Sequence, residues 1–132
     1  MLSFVRSLSL NFGRRSFSNV PSTKLAVIEA VKSFTAQRKH EIASELVHKG
    51  EAASEAERTA AQETLAKLSK EVNETSVWRD FGFDGLDEVE CLLTIEDALG
   101  VRVPDEEFHG IHGVSDALHI AQKYLDKSTH SA

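Results

Sequence analysis

Between Lys24 and Leu125 the chain carries one proline, Pro104, and no apolar–polar alternation long enough for a strand. Apolar residues recur three and four apart instead, so this span is predicted to be almost wholly helical. From Lys24 to about Lys49, Val27, Val31, Phe34 and Ile42 share one face, flanked by Ile28 and Leu46. Arg38 interrupts that stripe, so the helix is expected either to bend or to leave the core midway. After Gly50, residues 51–71 have high helix propensity but a thin apolar face of Ala53, Ala56, Ala60, Leu65 and Leu68. Alanines bury little area, which leaves two readings of this helix: solvent-exposed, or in contact with another chain.

Residues 73–83 read as a loop anchored by Trp78, Phe81 and Phe83. A helix then starts at Asp84 or Gly85 and runs to about Leu99. Leu86, Val89, Leu92, Leu93 and Leu99 form its expected inward stripe, with Ile95 at the margin. Asp84 can cap the first turn, Asp87 and Glu88 suit the positive end of the helix, and Gly100 is a stop signal. Residues 101–104 form an extended connector, 105–108 a short helical turn, and 109–113 a flexible link. The last helix opens at Ser115 or the residue before it and ends near Leu125, with Ala117, Leu118, Ala121 and Leu125 inward. The expectation is one all-α domain over 24–126: a small bundle of three long helices and one short. It includes a helical insertion over 50–71 and leaves a disordered tail at 127–132. For 132 residues, 41% of them hydrophobic, a single modest core suffices.

Charge is segregated along the chain. Residues 1–28 hold Arg6, Arg14, Arg15 and Lys24 and no acid, whereas 80–107 hold ten acids against Arg102 alone, a local net of −9. The acidic body argues against nucleic-acid contact, and no apolar run is long enough for a membrane span. Residues 1–17 (to about 24) are basic and serine-rich, with Leu2, Phe4, Val5, Leu8 and Leu10 interleaved around Arg6, the pattern of a mitochondrial transit peptide. Arg15-Ser16-Phe17 before Ser18 resembles a matrix-protease site. Removing residues 1–17 takes away three arginines, and the net charge moves from −6 to −9.

The segment Asp80-Phe81-Gly82-Phe83-Asp84-Gly85-Leu86-Asp87-Glu88-Val89-Glu90 resembles the signature of acyl carrier proteins, Asp-Leu-Gly-x-Asp-Ser-Leu-Asp followed by a helix. The resemblance continues through Ile95–Glu107, which looks like that family's acidic second helix and its apolar-Pro-Asp exit. With the basic leader, it points to the mitochondrial branch, in the matrix or on the matrix side of the inner membrane. The family attaches 4′-phosphopantetheine to a serine where this chain has Gly85, which has no nucleophile. Ser69, Ser76 and Ser115 lie outside an Asp-Ser-Leu context, and Cys91, about two turns into the helix, reads as core. The resemblance therefore implies an acyl-carrier fold without a covalent cofactor, not an enzyme.

It further implies docking to basic helical proteins of the Leu-Tyr-Arg motif family within a larger mitochondrial complex, respiratory complex I first, reaching membranes only through partners. The implied docking residues are Asp84, Asp87, Glu88, Glu90, Glu96 and Asp97. Without an acyl arm, the 50–71 insertion is expected to add contact area. The alternatives are a carrier in fatty-acid or lipoate synthesis modified elsewhere than Gly85, or a subunit of the mitochondrial ribosome or of iron–sulfur assembly. A calcium loop at Asp80–Cys91 lacks ligands at its third and twelfth positions. His109, His112 and His119 sit near glycines that impose no rigid geometry, and are expected to be solvent-exposed rather than metal ligands.

Overall fold

A computed structural model describes residues 20–131, and side chains over 23–127. The transit segment assigned to 1–17 lies outside the described residues. Helix α1 spans Val20–Lys49 and a 3-10 turn Gly50–Ala52; α2 spans Glu55–Leu68 and a second 3-10 turn Trp78–Phe81. Then come α3 (Gly85–Leu99), α4 (Asp105–Phe108) and α5 (Val114–Ser131). About 77% is helical, without strands among the described residues, an all-α acyl-carrier-like bundle as expected. Val114 opens α5, one of the two expected starts. That helix continues past its expected end near Leu125, so the segment expected to be a disordered tail is helical as far as Ser131.

The core is built where α1, α3 and α5 meet. Val27, Val31 and Phe34 from α1 join Cys91, Leu92, Ile95 and Leu99 from α3 and Ala117 and Ala121 from α5. In α1 nothing beyond Thr35 is buried. Of the two outcomes Arg38 allowed, the helix stays continuous and leaves the core. Its outer half is covered instead by α2, which packs on α1 and on the Trp78–Phe81 turn. The inward residues of α2 are Ala61, Thr64, Leu65 and Leu68, spaced three, one and three apart, while Ala56 and Ala60 face solvent. The alanine stripe expected on this helix was thus misplaced by part of a turn, because alanine spacing alone cannot distinguish faces of a helix so rich in alanine.

The corner between α1 and α2 is electrostatic. Ser54 caps α2 by accepting from the Glu57 N–H at 3.1 Å, and Glu57 accepts in return from the Ser54 N–H at 2.9 Å, a reciprocal capping box. Lys49 Nζ donates to Glu57 at 2.6 Å. The Lys49 bond, then the Ser54 N–H, hold the Glu57 carboxyl down to about 2 from its ordinary 4.5. A depressed folded value means this contribution is present above the unfolded pKa and is lost as pH falls through the folded one. Carboxyl NMR of Glu57 is therefore expected to titrate near 2, and Lys49→Met to move that midpoint up toward 4.5.

Two glycines are needed for their geometry. Gly100 ends α3 at φ 68°, in the left-handed region, and donates to Glu96 O at 2.8 Å. Gly113 is buried where the chain after α4 runs against the loop before α3. Trp78 N donates to His112 O and Val114 N to Ser76 O, each at 2.9 Å, forming a short bridge. The 109–113 segment expected to be a flexible link is therefore packed: Ile111 is buried, and a Cβ at Gly113 would lie 2.5 Å from Ser76 O.

Candidate functional site

The start of α3 is fixed from behind by aromatic packing. The Phe83 ring meets Phe34 edge-on at 5.3 Å and lies 5.4 Å from Phe81 and 5.7 Å from Trp78. Asp84 follows, and its carboxylate accepts from Asp87 N at 2.8 Å while Asp87 accepts from Asp84 N at 3.2 Å. This capping box satisfies two N–H groups at the exposed helix end. Gly85 is the first helical residue, with an ordinary backbone angle, and a Cβ built there meets nothing within 4 Å. Nothing in the local geometry requires glycine. The position has room for a side chain but offers no nucleophile of its own.

The six carboxylates singled out by sequence separate into two groups. Asp87 faces inward: besides closing the cap, its Oδ1 lies 3.2 Å from Arg38 Nε, and its side chain is 13% exposed. Burial opposes the Arg38 charge, but the Glu41 bond and the charges of Asp87 and Glu90 outweigh it and raise its pKa. Glu96 is buried, and its Oε2 accepts from Val103 N at 2.6 Å while its own carbonyl receives Gly100 and Val101. These two are therefore corrected from docking residues to structural ones. Asp87 ties α1 to α3, and Glu96 fastens the connector to the end of α3. Asp84, Glu90 and Asp97 are exposed and Glu88 half-exposed. Glu96→Ala strands the half-buried Val103 N–H and is expected to cost about 1–2 kcal/mol in urea unfolding.

Between these carboxylates lies a feature the sequence reading misassigned. Leu86, Val89 and Leu93, expected to point inward, are 66%, 39% and 45% exposed. With Glu90 and Asp97 they follow helical spacing along one outward face. The buried face is Cys91, Leu92, Ile95, Glu96 and Leu99. Cys91 is core, as expected, and burial first, with the Asp87 charge, pushes its thiol up to about 12, so it is a poor nucleophile. Apolar residues nearly encircle α3, and one side of the bundle can cover only part of them. That excess was the available signal for an unpartnered face.

Behind α3, the space enclosed by Leu92, Ile95, Val103, Phe108, Ile111 and Ala121 is about 10 Å³, roughly one water at most. His109, His112 and His119 are exposed, and the described residues contain no group of three or more His, Cys, Asp or Glu side chains placed to hold a metal. No described helix is long and apolar enough to cross a membrane.

No family model matches the chain, and no solved structure matches it. It is similar over nearly its whole length to curated plant proteins. Acyl carrier protein 4, chloroplastic, of Cuphea lanceolata is 27% identical over 129 residues, covering 98% of this chain and 83% of the relative. Acyl carrier protein 1, chloroplastic, of the same plant is 28% identical over the same span and coverage.

Proposed function

We propose that this acyl-carrier-like chain is a non-catalytic docking subunit without a phosphopantetheine arm, held in a mitochondrial assembly by a basic helical protein of the Leu-Tyr-Arg motif family. The observation that carries this reading is the outward face of α3, where Leu86, Val89 and Leu93 stand in solvent beside Glu90 and Asp97. Three large apolar side chains on one helical face mark a binding surface more than a solvated one. Its acidic border selects a partner that brings Lys or Arg around an apolar strip. A second copy of this chain set face to like face fits poorly, since that pairing would oppose carboxylates.

Gly85 places no hydroxyl at the head of this face, so recognition rests on side chains alone. The exposed side of α2 adds area for a neighbouring subunit. Respiratory complex I is the assembly of first choice, and the acid-free leader of residues 1–17 supports a matrix address.

Calorimetry of the purified chain against a recombinant Leu-Tyr-Arg motif protein tests the reading. Leu93→Glu is expected to weaken binding at least about tenfold, the size expected for loss of a buried apolar anchor. Glu90→Lys with Asp97→Lys is expected to weaken it and flatten its salt dependence. Affinity unchanged by both variants overturns the α3 face as the docking site.

A further inference from the structure

We propose that a second copy of this chain covers the outward face of α3 with the outward face of its own α1. The inference rests on reading the α3 face as a docking surface, not on the identity of a foreign partner.

Among the described residues, the large apolar side chains left exposed are Leu25, Val47, Leu86, Val89 and Leu93. They fall on two helices, Leu25 and Val47 on α1 and the other three on α3. On α1, Leu25, Lys32, Ala36, Ala43 and Val47 follow spacings of seven and four and share the side turned away from Val27, Val31 and Phe34. Lys39 lies at the edge of that side, half-buried. Between Ala30 and Lys49 this outward side carries Lys32, Lys39 and His40 and no acid. The two acids of that stretch, Glu41 and Glu45, line up instead with the cations they pair with, Arg38 at 3.0 Å and Lys49 at 3.7 Å. The α1 face is therefore basic where the α3 face is acidic, and each sets apolar residues beside its charges.

The spacing matches as well. Lys32 and Lys39 are seven residues apart on α1, and Glu90 and Asp97 are seven apart on α3, about 10.5 Å in each case at helical rise. Set parallel, the two helices place Lys32 against Glu90 and Lys39 against Asp97 along one edge. Ala36 then lies beside Leu93 along the other edge, and Leu25 about one turn from Leu86. Set antiparallel, the charged edge of one helix meets the apolar edge of the other. Lys39 and Asp97 have no ion-pair partner among the described residues, and Lys32 has an exposed one, Glu29 at 3.5 Å, that contributes little. Two α3 faces would oppose carboxylates and two α1 faces would oppose lysines, so the contact joins unlike faces. One helix laid on one helix belongs to the small end of protein interfaces, under about 1,200 Å², so the association is reversible. It shields the apolar residues of α3 in a copy without a partner, and a partner that fits the same face better displaces it.

Sedimentation velocity of the full-length chain tests this. From about 5 μM to about 0.5 mM in low salt, the mean sedimentation coefficient is expected to rise, and about 0.5 M salt to return it to the monomer value. Lys32→Glu with Lys39→Glu, and separately Glu90→Lys with Asp97→Lys, are each expected to weaken association at least about tenfold. An equimolar mixture of the two double variants is expected to associate like the wild type, which a misfolded variant could not do. A chain that stays monomeric throughout overturns the proposal. So does association that either double variant retains alone, or a mixture that stays apart. The Leu-Tyr-Arg protein separates the two readings. If it binds the chain while copies never associate, self-pairing fails and the docking reading stands. If copies associate as expected but it binds neither the wild type nor the variant with Lys32→Glu and Lys39→Glu, the docking reading fails and self-pairing stands.

Discussion

Gly113→Ala is expected to cost about 3–5 kcal/mol, near the upper end for a single substitution. The new methyl carbon would lie 2.5 Å from Ser76 O and 2.9 Å from Val77 Cα, and both contacts are backbone. Neither atom can rotate away as a flexible side chain would. Relief requires separating the two segments, which breaks the Val114–Ser76 and Trp78–His112 hydrogen bonds, each 2.9 Å. It also loosens the loop that carries Trp78 and Phe81, both almost fully buried. For a domain of this size each kcal/mol moves the melting midpoint by several degrees, so a fall of about 15 °C or more is expected by calorimetry. Gly85→Ala, where a Cβ meets nothing within 4 Å, is the matched control and should leave the midpoint nearly unchanged.

The contrast between these glycines shows what the sequence could reveal. Local chemistry was readable: Asp84 as a cap, Gly100 as a stop, Cys91 as core, and the helices themselves from apolar spacing and the scarcity of proline. What could not be read depended on which elements meet. The Gly-rich stretch 109–113 looked flexible because nothing local indicates that Ser76 and Val77, far back in the chain, press against it. Glu96 and Asp97 are adjacent acids with the same local signature. The first is buried because helical rotation turns it toward the connector, where Val103 N needs an acceptor. Asp87 was read as surface charge because Arg38 is 49 residues away in sequence yet forms an ion pair with it across the helix packing. On α3 the apolar residues outnumber what one face can bury, so spacing alone could not say that Leu86, Val89 and Leu93 are the ones left outside. That ambiguity concealed both the site and its apolar component.

Gly85→Ser is expected to let the chain accept a phosphopantetheine that, on the arm-free reading, the wild type does not take. Incubated with a phosphopantetheinyl transferase and coenzyme A, the wild type should keep its bare mass. The variant should gain the mass of one phosphopantetheine, read by intact-protein mass spectrometry. The structural grounds are specific. Gly85 has ordinary helical backbone geometry and an open Cβ direction, so a serine hydroxyl can be added without displacing a neighbour. The Asp84–Asp87 capping box does not use the Gly85 side, so the helix start should survive the change. Backbone N–H groups of the first turn favour a phosphate at that point, which offsets part of the repulsion from Asp84 and Glu88. Stability should change by only a few tenths of a kcal/mol, since glycine and serine differ little at a helix start. A wild-type chain that gains the mass would overturn the arm-free reading outright. A serine variant that folds yet stays bare would mean the transferase-recognition surface has diverged beyond the single missing hydroxyl. The expected outcome places the difference at one side chain: the fold, the cap and the acidic apolar face are in place, and the hydroxymethyl group that would hold the cofactor is missing.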